Sequence, residues 1–121
     1  MKQIKEVLNI ISIPSRFYLD GNNHSFHDLL KESGYLEIYK ELSENLLSEV
    51  LKSNPENFQA WLNWSEDKRT SEGWFLRTDG KTFEVGQING ENYENLINFE
   101  DKFEACSSFI IKELDFIKDK L

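Results

Sequence analysis

The sequence predicts an α+β domain in which several N-terminal helices precede a small antiparallel sheet of two or three strands, with a C-terminal helix packed on the sheet. Apolar residues recur at helical spacing through about the first 68 positions, which favours helices there. The dipeptide Asp79-Gly80, a strong signal for a tight hairpin, lies between alternating apolar residues. Near the C-terminus, apolar residues again recur at helical spacing. The 121 residues suit a single domain, residues 1–121, large enough to stabilise itself by burial.

The N-terminal segment has the spacing of an amphipathic helix. Apolar residues occur at i, i+3, i+4 and i+7: Ile4, Val7, Leu8 and Ile11. This spacing predicts a helix over residues 2–11, which Pro14 ends. We expect residues 16–19 to be extended and residues 20–23 to form a turn, because the latter are Asp, Gly and Asn.

Three residues with capping character then mark helix boundaries. Ser25 with Asp28 three positions later resembles a capping box and predicts a helix start. Gly34 is suited to the left-handed residue that ends this helix. Residues 35–42 predict a further short helix, and Ser43 predicts the cap of the next one.

The pair Asn54-Pro55 combines an N-cap with a proline at the first helical position, so it predicts another helix that continues to about Lys68. One side of that helix carries Phe58, Trp61, Leu62 and Ser65. Trp61 therefore belongs to the core, whereas Trp64 lies off this stripe and is expected to be half exposed.

The hairpin prediction puts Asp79 and Gly80 in a two-residue turn. In that register Leu76 faces Phe83 and Trp74 faces Val85, so these apolar residues share the core side of the ribbon. Phe75 and Arg77 then point to the opposite side. Residues 96–99 are expected to add a third strand after a loop over residues 89–95.

The last helix is predicted from its cap and its stripe. Asp101 and Glu104 resemble a capping box. Apolar residues then recur on one face: Phe103, Cys106, Ile110, Leu114, Ile117 and Leu121. We expect this face to cover the sheet.

Composition excludes several classes of protein. No apolar run approaches the roughly 20 residues that a membrane-spanning helix needs, and the single cysteine, Cys106, rules out an internal disulfide. These features predict a soluble cytoplasmic protein with no membrane partner. The net charge is −8, and residues 71–121 hold eleven acids against six bases. That acidity serves either solubility alone or attraction of a basic protein partner.

Nucleic-acid binding is not predicted. The tryptophan-rich stretch contains Lys68 and Arg69, but Glu66, Asp67 and Glu72 flank them and the local charge roughly cancels. A binding surface for nucleic acid requires a basic field between its aromatic rings, which this stretch does not provide.

No constellation of residues predicts catalysis, a metal site or a cofactor. His24 and His27 are three positions apart, but their spacing indicates no third ligand. Cys106 lies on the apolar stripe of the last helix, where a buried thiol is inert. We therefore expect a protein that is not an enzyme.

Two groups of residues are candidates for binding a partner. Phe75 with Arg77 lies on the non-core side of the ribbon, where the ring is either an exposed interface anchor or is covered by another helix. The second group belongs to an acidic stretch over residues 89–101, read as a long loop that either binds a basic partner or is simply solvated. Its members are Glu91, Tyr93, Glu94, Glu100 and Asp101.

Three features of the later half carry a family resemblance: the segment SEDKRTSEGWFLR at residues 65–77, the hairpin after it, and FEACSSFIIKELDFI at residues 103–117. They resemble small bacterial immunity proteins of polymorphic toxin systems, including contact-dependent growth inhibition. The resemblance implies a small, acidic, cytosolic protein that blocks a nuclease or other toxin domain by binding it. Because such proteins differ in fold and in contact residues, it assigns no contact residue here.

Two other functions remain open. One is a small ligand-binding or enzymatic domain whose pocket would contain His24, His27 or Cys106 beside an acid. The other is a regulatory adaptor that docks through a flat apolar patch around Phe75.

Overall fold

The computed structural model describes residues 4–20, 25–67 and 72–120. The helices in this part of the chain are α1 (Ile4–Ile11), α2 (Ile13–Asp20), α3 (Phe26–Glu32), α4 (Tyr35–Ile38), α5 (Glu44–Ser53), α6 (Glu56–Asp67) and α7 (Lys102–Lys118), with a 3-10 turn at Tyr39–Glu41. The strands are β1 (Glu72–Thr78), β2 (Phe83–Asn89) and β3 (Asn92–Phe99). The architecture is α+β, and α7 packs on β1 and β2, which confirms the predicted fold class.

The region around Pro14 differs from the prediction. Residues 16–19 are helical rather than extended, because they belong to α2. Ser12 separates α1 from α2, and Pro14 is the second residue of α2. A proline in the first turn of a helix costs no hydrogen bond, so Pro14 helps to start a helix here. Most of the predicted turn at residues 20–23 lies outside the described residues.

The caps predicted at Ser25, Gly34 and Ser43 are confirmed. Ser25 forms a full capping box with Asp28, and Gly34 has a φ of +94° at the start of α4. The Ser43 hydroxyl accepts from the backbone N–H of Leu46 at 3.1 Å, at the start of α5. The side chains of Ser25, Asp28 and Ser43 each satisfy a helix-terminal N–H group that has no partner within its own helix.

The N-cap predicted at Asn54 is wrong, because α6 begins at Glu56 and Asn54 is the C-cap of α5, with its side-chain amide donating to the Val50 carbonyl oxygen at 2.9 Å.

The tryptophans lie mainly in the interior, as predicted. Trp61 is fully buried, and its indole N–H donates to the Ile11 carbonyl oxygen at 2.9 Å. Trp74 is half-buried against the core. Trp64, also half-buried, stacks on Phe26 with ring centroids 4.0 Å apart. This inward placement joins α6 to the N-terminal helices.

The sheet has the order β1-β2-β3 and is antiparallel throughout. The predicted two-residue turn at Asp79-Gly80 is wrong, because Thr78 pairs with Phe83 and the connection is four residues long. The Asp79 carboxylate closes it by accepting from the backbone N–H groups of Thr82 (2.9 Å) and Lys81 (2.8 Å). These bonds, the one from Thr82 first, lower the pKa of the Asp79 carboxyl below its usual value.

The corrected register keeps the predicted faces. Leu76 pairs with Val85 instead of Phe83, a shift of two positions. Since side chains alternate with a period of two, a shift of two leaves every residue on the same side. Leu76 and Val85 are therefore buried on the core side, while Phe75 and Arg77 lie on the outer side.

The third strand is longer than predicted. It begins at Asn92 and not at residue 96, so the predicted loop over residues 89–95 is wrong. β2 runs to Asn89, and Gly90 and Glu91 alone connect the strands. Gly90 has a φ of +65°, which suits a turn with glycine at its first central position. The acidic stretch is therefore a strand with short connections, not a long loop.

Candidate functional site

The two faces of the sheet have different surroundings. On the core side, Leu76 and Val85 belong to the same buried cluster as Trp61 and Phe109. Phe75 does not belong to that cluster, although it is buried. We call the following residues of the outer side the outer-face cluster: Phe75, Arg77, Glu84, Tyr93 and Leu96.

Phe75 is 5% exposed, so the prediction of an exposed ring is wrong. The predicted alternative, burial under another helix, also differs from the structure, because residues of the sheet itself cover the ring. The Arg77 guanidinium carbon lies 4.9 Å from the Phe75 ring centroid and 5.0 Å from that of Tyr93. The two rings meet edge to face at 5.6 Å. Arg77 Nε donates to Glu84 Oε1 at 2.6 Å, which holds the guanidinium over both rings.

Gly86 explains how the Phe75 ring becomes buried on an open face. A Cβ at Gly86 would lie 2.7 Å from Cζ of Phe75 and 2.5 Å from Cδ2 of Leu96. Both side chains therefore occupy the space above the glycine backbone. A close approach of this kind is one of the roles of glycine within a strand.

A β-bulge in β3 brings Tyr93 and Leu96 to the same side. Gly86 lies opposite two residues, Asn95 and Leu96, where the register shifts. Asn95 has a φ of +54°, and its side-chain amide donates to Gln87 Oε1 at 2.9 Å. In a regular strand, positions 93 and 96 would face opposite sides, so the extra residue is what completes the outer-face cluster.

The structure distributes the predicted acidic residues along β3 rather than clustering them. Glu91 lies in the β2–β3 turn and Glu94 within the strand, while Glu100 and Asp101 follow its other end. All but Asp101 are exposed. Asp101 caps α7, because its Oδ1 accepts from the backbone N–H of Phe103 at 2.7 Å. Tyr93, the aromatic residue among these candidates for partner binding, is 56% exposed, so its ring is accessible to solvent beside the acids.

A second acidic feature lies between α5, the end of β3 and the start of α7. This pocket of about 300 Å³, here called the acidic pocket, is lined by Glu44, Asn45, Ser48, Glu49, Lys52, Phe99 and Glu104. Ser48 is 7% exposed, and within the described chain its hydroxyl has no hydrogen-bond partner. Three carboxylates against one ammonium group make the pocket negative and suited to a basic side chain.

The two edges of the sheet differ. On the β1 edge, the backbone N–H of Leu76 points away from β2 and donates to the Ser65 hydroxyl at 2.7 Å. Leu76 and Val85 are thus a pair without mutual backbone hydrogen bonds. The backbone N–H and C=O of Val85 therefore point away from β1, toward Ile97 of β3. Because the direction of these groups alternates along a strand, the N–H and C=O of the next residue in β3, Asn98, point away from β2. Residues 92–98 are all exposed, so the β3 edge is open.

Of the residues considered for catalysis, His27 and Cys106 belong to the described ranges. His24 lies outside the described residues, as do Lys68, Arg69 and Leu121. Cys106 is fully buried, and burial raises the pKa of its thiol. Among the described residues, no group of three or more His, Cys, Asp or Glu side chains is arranged to hold a metal ion.

His27 does line a cleft of about 270 Å³, together with Phe26, Trp64, Glu72, Glu113, Phe116, Ile117 and Lys120. Glu113 is 2% exposed, and its Oε2 accepts from the Trp64 indole N–H at 3.0 Å. Lys120 Nζ lies 3.1 Å from Glu72 Oε1 at the same cleft. The cleft is largely aromatic, with carboxylates at its base and rim.

Sequence reasoning missed the acidic pocket and the closure of one sheet edge by Ser65. Neither has a local signal, since both depend on contacts between distant elements. The full length of β3 did have a signal. Asn89-Gly90 is as strong a hairpin dipeptide as Asp79-Gly80.

No helix in the described ranges combines the length and apolar character needed to cross a bilayer. Comparison with protein-family models, with curated proteins and with solved structures found no match for the chain.

Proposed function

We propose that the chain is a small acidic protein-binding domain, and that it is an immunity protein that neutralises a cognate toxin by binding and occluding it. A nuclease toxin is the leading class, because nucleases present basic clefts for phosphate. The proposal includes a cytoplasmic location, where such a toxin would act. It is a binding function and requires neither a catalytic group nor a cofactor.

The observation that carries the proposal is the open, acid-flanked edge strand. β3 is exposed from Asn92 to Asn98, and Glu91, Glu94 and Glu100 are exposed along it. Tyr93 supplies an aromatic contact surface at the same strand. Tyrosine is enriched at the energetic centres of protein interfaces, and carboxylates around it favour a basic partner.

The mechanism is occlusion of the toxin's basic cleft. Exposed carboxylates steer a basic partner toward β3 during diffusion, which raises the association rate. The outer-face cluster is already held in place by the contacts among Phe75, Arg77 and Tyr93. A preorganised surface loses little conformational entropy on binding, which slows dissociation.

The test is binding to the protein encoded by the gene immediately upstream. We expect an association rate that falls steeply with added salt and a dissociation rate that changes much less. The triple variant Glu91→Gln, Glu94→Gln, Glu100→Gln should slow association roughly tenfold. Glu37→Gln, at an exposed position on α4, is the matched control and should leave the rate unchanged. Absence of binding at low ionic strength would contradict the proposal.

One observation favours a second candidate, a small-ligand site in the cleft that His27 and Glu113 line. Its three aromatic rings and its carboxylates suit a flat or cationic ligand. Trp64 fluorescence would report occupancy. Quenching by a small cation in the wild-type protein, with loss of the response in Trp64→Phe, would support this function over toxin binding.

A further inference from the structure

We infer that the open edge of β3 binds an extended basic segment of the partner as an added antiparallel or parallel strand, with one basic side chain seated in the acidic pocket. This inference rests on the proposed function and assigns its binding mode. Addition of a strand to a sheet edge gives affinity through main-chain hydrogen bonds and selectivity through alternate side chains.

The first support is the direction of the backbone groups. Because the Leu76 N–H donates to Ser65, alternation across the sheet leaves the N–H and C=O of Asn98 pointing outward. The described chain places no strand beyond β3. Asn98 therefore offers a donor and an acceptor to an incoming strand.

The second support is the position of the apolar side chains on this half of β3. Leu96 is 46% exposed on the outer side, and Ile97 is 41% exposed although it faces the core side. A strand lying beside β3 would cover both. The bulge at Asn95 interrupts regular pairing, so the added strand is confined to Leu96–Phe99.

The third support is charge. The acidic pocket touches β3 through Phe99, which faces the core side of the sheet. A side chain on the core side of the added strand would point toward this pocket. A lysine or arginine there would meet Glu44, Glu49 and Glu104 and would give the Ser48 hydroxyl a partner.

Charge also argues against a second copy of this chain as the occupant. Two β3 strands aligned antiparallel about their midpoints would place Glu91 of one copy opposite Glu100 of the other. Like charges directly opposite destabilise a strand pair, and each chain has a net charge of −8.

The experiment uses the full chain and a short synthetic peptide of alternating lysine and valine at low ionic strength. We expect binding by calorimetry and at least about tenfold slower amide exchange at Asn98. A peptide with the same side chains but with alternate backbone amides N-methylated should bind at least about tenfold more weakly. Equal binding of the two peptides, or no binding of either, would overturn the inference.

Two pairs of variants sharpen the result. Asn98→Pro removes the outward N–H at a position where an edge strand accepts proline, and it should weaken peptide binding about tenfold, whereas Asn98→Ala should not. Glu49→Gln should weaken binding about threefold, and Glu37→Gln should have no effect. Circular dichroism of each variant checks that it folds. Equal affinities of the Asn98→Pro and Asn98→Ala variants would contradict strand addition.

The outcomes separate this inference from the proposed function. Toxin binding that protects helical amides but leaves Asn98 unprotected would overturn strand addition and leave the immunity function in place. Peptide protection at Asn98 without toxin binding would overturn the immunity function and leave the strand site. A concentration-dependent dimer that protects Asn98 would assign the edge to a second copy and overturn the inference.

Discussion

The two outer strands of the sheet, β1 and β3, have opposite surroundings. In β1, Leu76 is 1% exposed and its N–H is satisfied by Ser65 of α6. The start of β1 is also linked to the turn that follows α7, because Glu72 pairs with Lys120. In β3, residues 92–98 are exposed along their whole length. One edge is thus closed by the fold and the other is left open.

The residues of β1 that contact the helices therefore maintain the fold, whereas the exposed residues of β3 are available to a partner. An open edge with exposed apolar side chains risks aggregation, and proteins usually protect such edges. β3 has a bulge and neighbouring acids but contains no proline, lysine or arginine. The acids along and beside β3 would repel the same strand of a second copy, whereas a basic strand would not meet this repulsion.

The largest expected effect tests the closed side. Leu76→Ala should lower the free energy of unfolding by about 2–5 kcal/mol, because it removes buried methyl groups and leaves a cavity. Leu96→Ala is the matched substitution on the open strand and should cost less than about 1 kcal/mol. Urea denaturation measures both. Similar losses of unfolding free energy for the two variants would show that β3 is packed into the fold as firmly as β1.

Gly86→Ala tests β2, the central strand, because Phe75 and Leu96 of the outer-face cluster pack over Gly86. The new methyl group would meet Phe75 and Leu96, so we expect a loss of about 1–3 kcal/mol from overpacking. Combining it with Leu96→Ala should recover part of the loss, since the closest contact is removed. Thermal denaturation of the single and double variants gives the coupling. Strict additivity would refute the proposed close contact.

Ser65→Ala tests the closure of the β1 edge. Without the hydroxyl, the Leu76 N–H loses its acceptor at a partly buried position, and we expect a loss of about 1–2 kcal/mol. The amide of Leu76 should also exchange faster with solvent. Ser53→Ala, at an exposed position, serves as the control and should change stability little. An unchanged exchange rate at Leu76 would mean that the edge is closed in another way.

The smallest expected effect on stability concerns Tyr93. Tyr93→Ala removes an edge-to-face contact with Phe75 from an exposed site, so it should cost about 1 kcal/mol or less. Its effect on affinity for a toxin partner should be larger, at least about tenfold. Urea denaturation measures the change in stability, and calorimetry measures the change in affinity for the partner. A large stability loss without a loss of affinity would make Tyr93 a structural residue.

Much of the fold could be predicted because its signals are local. Ser25, Ser43 and Asp101 each act on backbone N–H groups within the next few residues, and their capping roles are confirmed. The prediction of an extended segment at residues 16–19 is wrong, because Pro14 lies in the first turn of α2 and does not end the helical region.

The site was only partly predictable. Tyr93 and the acids were identified from composition, but their arrangement required the length of β3 and its bulge. Phe75 was placed on the correct side of the ribbon, yet its burial depends on Gly86 and Tyr93, which belong to other strands. Contacts of that kind carry no signal in the sequence around Phe75.

By itself, the sequence determined the fold class, the capped starts of α3, α5 and α7, the acidic charge and the sides on which the residues of β1 and β2 lie. These properties depend on local capping, on hydrophobic periods and on an alternation that tolerates a register shift of two. Only the tertiary structure decided the register, the bulge at Asn95 and which sheet edge Ser65 closes. The physical reason is that pairing and edge coverage follow from the packing of segments distant in the chain, so that Ser65 protects the backbone of β1 while the outward groups of Asn98 stay available.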